Sequence, residues 1–275
     1  MNIDKIIDLS LEEDIGHGDI TTENLCIEDK NSQAFIIAKE KGVLAGLNIA
    51  FEVFKKIDNS LKCESFKNDG DRLQKWDQIA LITGSSSSIL QAERVALNFL
   101  QRLSGIASLT RDFTEKIVPY EAKLLDTRKT TPLLRKLEKY AVRIGGGYNH
   151  RFGLYDMIML KENHIRAAGS ISNAVRMIKK KNTSYKIEVE VTNLAELEEA
   201  VENRVDRVML DNMSLQDMKN AVTKYGDEIE LEASGNVTLK TIHNIAATGV
   251  QYISCGSLTH SYKSLDISLL FEGKL

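Results

Sequence analysis

The sequence predicts an α/β protein whose second half is built on parallel strands, best read as a barrel. Three observations carry this. Short apolar runs recur at 123–126, 157–161, 186–191, 207–211, 228–234 and 251–255. Helical patterns separate them, over 133–144, 171–181, 194–203, 215–222 and 239–248. Strand alternating with helix is the pattern of parallel β/α folds, in which the linking helices cover the sheet. Finally, the runs end on polar residues of kinds that do chemistry, as in folds whose strands open on one functional face. The runs are fewer than a full barrel uses. A doubly wound open sheet is the alternative, although no GxGxxG follows the first run.

The first hundred residues read as mixed α/β. An amphipathic helix over 2–13 precedes a strand at 33–40. GVLAG (42–46) leads into a helix over 46–57, followed by strands at 61–66 and 78–83. The segment 85–118 opens on serines suited to capping and keeps Ile89, Val95, Leu97, Leu100 and Leu103 at helical spacing. It reads as one long helix or two consecutive ones, with Gly105 as the interruption and Pro119 as the end.

Composition narrows the function classes. A chain of 275 residues can bury a core without disulfides or structural metals. Cys26, Cys63 and Cys255 form no CxxC pair and read as free thiols of a reducing, cytoplasmic setting. No apolar run is long enough for a membrane span, and the acidic amphipathic N-terminus does not fit a secretory leader. A net charge of −3 argues against a general nucleic-acid surface.

Within this acidic chain, the span from Asp126 to Arg166 holds nine Lys or Arg against four Asp or Glu. Arg135, Lys136, Lys139 and Arg143 fall on a helical pattern and read as its wet face. Arg128, Lys129, Arg151 and Lys161 fall at strand ends or loops, where guanidinium forks and ammonium groups grip carboxylates and phosphates. Three consecutive glycines precede His150 and Arg151. Gly145 is expected to cap the preceding helix, and the run to let backbone approach a ligand closely. Asp126 is grouped with these strand-end residues. Glu190 and Asp211 end two later strands, and Mg²⁺ between them would reconcile two carboxylates with a polyanion; structural ion pairs are the other reading. Ser234 with Gly235, and Gly256 with Ser257, place small residues before helical segments, in the manner of phosphate turns.

Together DTRKTTP (126–132), GGGYNHRFGLYD (145–156), LKENHI (160–165), LDN (210–212), EASGN (232–236) and GSLTHS (256–261) resemble the quinolinate phosphoribosyltransferase family. EEDIGHGDITT (12–22), NDGDRL (68–73) and AERVALNFLQRLSGIAS (92–108) extend the resemblance through the N-terminal half. It implies an N-terminal α/β sandwich over 1–108, rejoined by 262–275, and an incomplete α/β (TIM-like) barrel over 109–261. It implies phosphoribosyl transfer from phosphoribosyl pyrophosphate to quinolinate, with decarboxylation. It also implies a homodimer, or a larger assembly such as a hexamer, in which Arg94 crosses to the neighbouring site. By the same resemblance Arg94, Arg128, His150, Arg151 and Lys161 meet the quinolinate carboxylates. Lys129, Mg²⁺ at Glu190 and Asp211, and the turns at Ser234, Gly235, Gly256 and Ser257 hold the phosphoribosyl pyrophosphate. His164 and His260 keep a supporting role.

Three positions depart from the family pattern: Leu133 and Asn236 stand where glycine is usual, and Trp76 where a small residue is. Asn236 bears on the phosphate turn, which survives if asparagine accepts left-handed backbone. Three rival readings remain. A molybdenum-operon relative would replace Lys161 by an apolar or aromatic residue. A nicotinate phosphoribosyltransferase would need fewer cations for its monocarboxylate. A non-catalytic binding protein would lose Glu190, Asp211 or Lys129.

Overall fold

The computed structural model describes residues 3–25, 31–181 and 184–272, so Cys26 lies outside the described residues. The chain divides into two compact units. Unit 1 comprises Met1–Leu109, Thr131–Gly145 and Tyr262–Leu275; unit 2 comprises Thr110–Thr130 and Gly146–Ser261.

Unit 1 begins with α1 (Ile3–Ile15) and α2 (Ile20–Asn24), then β1 (Asn31–Ala38), β2 (Gly42–Val43), α3 (Leu47–Ile57), β3 (Lys62–Ser65), β4 (Arg72–Leu73) and β5 (Gln78–Ser85). Its main sheet runs in the order β12-β1-β5-β3, all antiparallel, with β12 (Ile267–Phe271) supplied by the C-terminal segment. Helix α4 (Ser86–Ile117) runs unbroken through 32 residues. Gly105 therefore does not interrupt it. A Cβ there would stand 2.2 Å from the Lys263 carbonyl oxygen, so the missing side chain lets the returning segment lie against the helix. Ala92, Leu100, Leu103, Ile106 and Ala107 are fully buried on one stripe of this helix, and each large side chain contributes ~1.5–3 kcal/mol by leaving water.

Helix α5 (Arg135–Ile144) also belongs to unit 1, although the sequence reading leaves it in the barrel segment. The reason is polar. Glu138, fully buried, pairs with Arg102 of α4 at 2.5 Å, and Tyr140 donates a hydrogen bond to Asp69. Lys139, expected on the wet face, is buried. The two unit 1 departures from the family pattern, Trp76 and Leu133, have φ of 76° and 70°. Small residues are favoured there because L side chains disfavour left-handed backbone.

Unit 2 contains β6 (Lys123–Leu125), β7 (Ile158–Leu160), α6 (Glu162–Ala168), α7 (Ile171–Lys179), β8 (Ile187–Val191), α8 (Leu194–Glu202), β9 (Arg207–Asp211), α9 (Leu215–Tyr225), β10 (Glu230–Ser234), α10 (Ile242–Ala246), β11 (Tyr252–Ser254) and α11 (Ser257–His260). The strands pair in parallel in the order β6-β11-β10-β9-β8-β7. Neighbours follow one another from β7 to β11 and then return to β6. That is the cyclic order of a barrel, and it lacks the reversal of a doubly wound sheet. On its other edge β6 makes a single parallel bridge from Leu125 to Tyr148, where a further strand would lie.

Candidate active site

The carboxyl ends of β6 to β11 surround a cavity of about 870 Å³. Its wall holds Arg128 and Lys129 after β6, His150 and Arg151 after the glycine run, and Lys161 after β7. The same wall continues with Glu190 of β8 and Asp211 of β9, then Ser234 and Gly235 after β10 and Gly256 and Ser257 after β11. Met159 and Met209 add apolar lining. Arg94 is exposed on α4, and this lining does not include it.

The glycine run is anchored from below. Asp126 is fully buried; its carboxylate accepts from the His150 amide at 2.9 Å and from Asn149 Nδ2 at 2.5 Å. The Tyr148 and Asp126 amides add ladder bonds to Leu124 and Tyr148 carbonyls. Asp126 thus fixes the loop, although the sequence places it among the polar strand ends. Gly145 is the C-cap of α5 in right-handed conformation, and Gly146, at φ 94°, makes the reversal. Arg151 donates through Nη1 to the Met157 carbonyl. Burial, and then the neighbouring Arg128 charge, hold its pKa below that of an ordinary guanidinium. Two arginines brought close enough to repel form a receptor for an anion.

The acidic side is equally close-set. Lys161 pairs with Glu190. Burial, and then the Glu190 charge, push the Asp211 carboxyl up. Lys129 is bracketed by main-chain bonds: its amide donates to Thr127 Oγ1 at 3.0 Å, and its carbonyl accepts from Thr259 Oγ1 at 2.8 Å. A Cβ on Gly256 would lie 3.0 Å from Lys129 Cδ and 3.1 Å from His260 Nε2, so glycine keeps this wall open. His164 accepts the Lys161 amide through Nδ1 at 3.1 Å, which caps α6. Asn236 has φ 50°, the left-handed backbone its position requires.

Beneath the cavity lies a buried charge cluster absent from the sequence reading. His150 Nε2 stands 3.1 Å from Glu188 Oε2 and 3.5 Å from Glu232 Oε1, and both acids are fully buried. Arg207 Nη1 reaches Glu232 Oε2 at 3.1 Å, and its Nη2 reaches Glu230 at 3.0 Å. His150, Glu188 and Glu232 could chelate a metal, each offering one ligand atom within 4.8 Å of the others. Arg207 already brings positive charge to the same carboxylate, so an ion-pair network is the simpler reading. Burial lowers the imidazolium pKa, but the two acids outweigh it and would hold the charge up to about 9. Against this, His150 Nδ1 accepts the Arg151 amide at 2.7 Å, and an imidazolium has no lone pair there. The geometry decides for the neutral ring with its proton on Nε2. The available signal was the alternation in IEVEV: Ile187, Val189 and Val191 are buried on one face, so Glu188 must share the other with Glu190.

Sequence and structure comparisons agree with this architecture. The description "Quinolinate phosphoribosyl transferase, N-terminal domain" matches residues 19–104, and its C-terminal counterpart matches residues 106–270. The chain is 45% identical over 290 residues to a chloroplastic nicotinate-nucleotide pyrophosphorylase [carboxylating] of Arabidopsis thaliana, covering 98% of this chain and 83% of the relative. It is 44% identical to a probable nicotinate-nucleotide pyrophosphorylase [carboxylating] of Bacillus subtilis, covering 98% and 93%. Among solved structures, the nicotinate-nucleotide pyrophosphorylase of Francisella tularensis superposes with TM-score 0.95 at 43% identity, covering 98% of this chain and 96% of that one. The chain belongs to the quinolinate phosphoribosyltransferase family.

Proposed function

We propose that this chain transfers the phosphoribosyl group of phosphoribosyl pyrophosphate to quinolinate, releasing pyrophosphate and CO₂ and forming nicotinate mononucleotide for NAD synthesis. One observation carries the reading: Arg128, Lys129, Arg151 and Lys161 line the same cavity as Glu190 and Asp211, and Lys161 pairs with Glu190 within it. Quinolinate is a pyridine with two adjacent carboxylates, and Arg128, Arg151 and Lys161 offer several cations close together. His150 lines the cavity and accepts the Arg151 amide through Nδ1, so it also holds the loop that carries Arg151.

Glu190 and Asp211 suit Mg²⁺. They are hard oxygen donors close enough for one to shift the other's pKa, and such sites pair one or two carboxylates with substrate phosphates. When bound there, Mg²⁺ would neutralise charge on the departing pyrophosphate. Lys129 lies beside the Gly256 turn and adds a cation for the same phosphates. Ser234, Gly235, Gly256 and Ser257 offer main-chain N–H groups and short side chains.

The chemistry then follows from substrate orientation. The ring nitrogen forms a bond to the anomeric carbon as the bond to pyrophosphate breaks, and fixed positioning lowers the entropy barrier. The pyridinium so made is the electron sink for the next step. The bond between ring carbon and the adjacent carboxylate breaks, CO₂ leaves, and the carbon takes a proton. Arg94, exposed on α4, is proposed to serve the site of a second copy in a homodimer or larger assembly. Free thiols at Cys63 and Cys255 suit a reducing compartment, the cytoplasm. No helix among the described residues is long and apolar enough to cross a membrane.

The test measures pyrophosphate and CO₂ release from phosphoribosyl pyrophosphate with Mg²⁺, comparing quinolinate with nicotinate. Equal amounts of both products with quinolinate alone are expected. Pyrophosphate without CO₂, or preference for nicotinate, would move the chain to a neighbouring activity. Mixing inactive Arg94→Ala and Arg151→Ala subunits should restore part of the activity if the site is shared; no recovery would remove Arg94 from it.

A further inference from the structure

Two asparagines hold left-handed backbone at the ends of adjacent strands. Asn212 follows β9 at φ 53°, and Asn236 follows β10 at φ 50°. Asparagine is among the few residues with a side chain that tolerate this region, and such outliers persist where surroundings or function demand them. Here they face each other. Asn236 Nδ2 donates to Asn212 Oδ1 at 2.9 Å, and Asn212 Nδ2 donates to Asp211 Oδ2 at 3.1 Å. The Asn212 amide also donates to the Ser234 carbonyl at 2.9 Å, continuing the β9–β10 ladder past the strand ends.

The polarity of this chain is set from one end. A carboxylate only accepts, so Asn212 must turn its NH₂ toward Asp211 and its oxygen toward Asn236. Asn236 must then donate, which fixes its own amide. Between them Gly235 has no room for a side chain: a Cβ there would lie 2.1 Å from Asn212 Oδ1. The glycine is needed so that the Asn212 carboxamide can occupy the groove between the two strand ends. Both asparagines line the cavity beside Asp211.

We infer that Asn236 is a positioning residue for the phosphoribosyl pyrophosphate half of the site, acting through Asn212 to hold Asp211 Oδ2 and leave Oδ1 for ligand. This rests on the reading of Asp211 as a carboxylate that meets Mg²⁺ and phosphoribosyl pyrophosphate. The relay is solvent-exposed, so its effect is modest. A hydrogen bond of this kind corresponds to about a three- to tenfold change in affinity.

Two substitutions separate the relay from simple packing. Asn236→Gly removes the donor while easing the backbone. Asn236→Asp keeps the shape and reverses the polarity, placing an oxygen against Asn212 Oδ1 and favouring the flipped amide that repels Asp211. Binding of phosphoribosyl pyrophosphate with Mn²⁺ to the full-length protein, measured by calorimetry without quinolinate, gives a readout independent of turnover. Expected is a loss of about threefold or more for Asn236→Gly and a larger loss for Asn236→Asp. KM for phosphoribosyl pyrophosphate should rise more than kcat falls, and KM for quinolinate should stay within about twofold of wild type. Wild-type affinity in both variants would overturn the relay alone. Failure of the wild-type protein to bind phosphoribosyl pyrophosphate with Mn²⁺ would instead overturn the reading of Asp211 beneath it.

Discussion

Glu188 and Glu190 stand two residues apart on one face of β8, which separates them by about 7 Å along the strand. That one step takes a carboxylate from the floor of the barrel to the rim of its cavity. Glu188 is fully buried, with His150 and the Glu232–Arg207 pair as its surroundings. Glu190 retains 18% side-chain exposure and pairs with Lys161, itself 45% exposed. The floor is closed to solvent, and burial pushes the Glu188 carboxyl up; the rim pair opens to solvent and can exchange its partner for a ligand. Depth in the barrel therefore separates two settings for one residue type: sealed beneath the loop that carries His150, and open at the cavity where the proposed substrate and metal would bind.

The largest effect should come from the rim. Lys161→Ala and Arg151→Ala are each expected to lower kcat/KM for quinolinate by about 100-fold or more, since positioned cations supply much of binding and orientation. Their urea midpoints should stay near wild type, because a part-exposed ion pair such as Lys161–Glu190 contributes only ~0–1 kcal/mol and a single hydrogen bond such as Arg151 to the Met157 carbonyl about as little. Near-normal turnover in both would remove them from the site. The floor should behave in the opposite sense. Glu232→Ala should lower unfolding free energy by about 3–5 kcal/mol, the usual result of removing one partner of a buried ion pair, here that of Arg207. Glu190→Ala should cost less than about 1 kcal/mol while abolishing activity. Equal destabilisation by the two would erase the distinction between floor and rim.

Acid titration sharpens it further. Burial alone would push the Glu232 carboxyl up, but the neighbouring His150 ring and the Arg207 guanidinium at 3.1 Å hold it below its ordinary value. A carboxyl with depressed folded pKa stabilises above its unfolded pKa and loses that stabilisation as pH falls through the folded one. The stability gap between wild type and Glu232→Gln should thus be full at neutral pH and close below about pH 4. A gap that persists unchanged to pH 3 would mean that Glu232 is not ionised in the folded protein.

Much of the rim was legible in the sequence because it follows two regular rules. Parallel strands announce themselves as apolar runs, and their carboxyl ends share one face, so Arg128, Lys129, Lys161, Glu190 and Asp211 could be gathered without coordinates. The floor was hidden because it depends on which neighbours meet. The IEVEV alternation places Glu188 on the face of Glu190, but nothing local says that Arg207 and Glu232 meet it; only the sheet order brings the three together. Gly105 was misread for the same reason. A glycine in a helix suggests a break, yet here it makes room for Lys263, more than 150 positions away. Helix α5 joined unit 1 through Glu138 and Arg102, a pairing with no signature in either segment alone.

The smallest effect concerns backbone, at the other left-handed position that departs from glycine. Thr131 to Leu134 forms a turn closed by the Leu134 amide on the Thr131 carbonyl at 3.1 Å, with Pro132 and Leu133 at its centre. Proline followed by positive φ is the pattern of a type II turn, which favours glycine in the third place. Leu133 occupies that place at φ 70°, with its side chain 67% exposed and so little burial to offset the strain. Left-handed backbone costs a β-carbon residue roughly 1–2 kcal/mol, while glycine loses ~0.5–1 kcal/mol more chain entropy on folding. Leu133→Gly should therefore gain about 0.5–1 kcal/mol and raise the melting temperature by about 2 °C. Leu133→Ala keeps the strain and should gain nothing, which separates relief of backbone from loss of an exposed apolar side chain. Equal gains in both would locate the effect in the side chain instead of the turn.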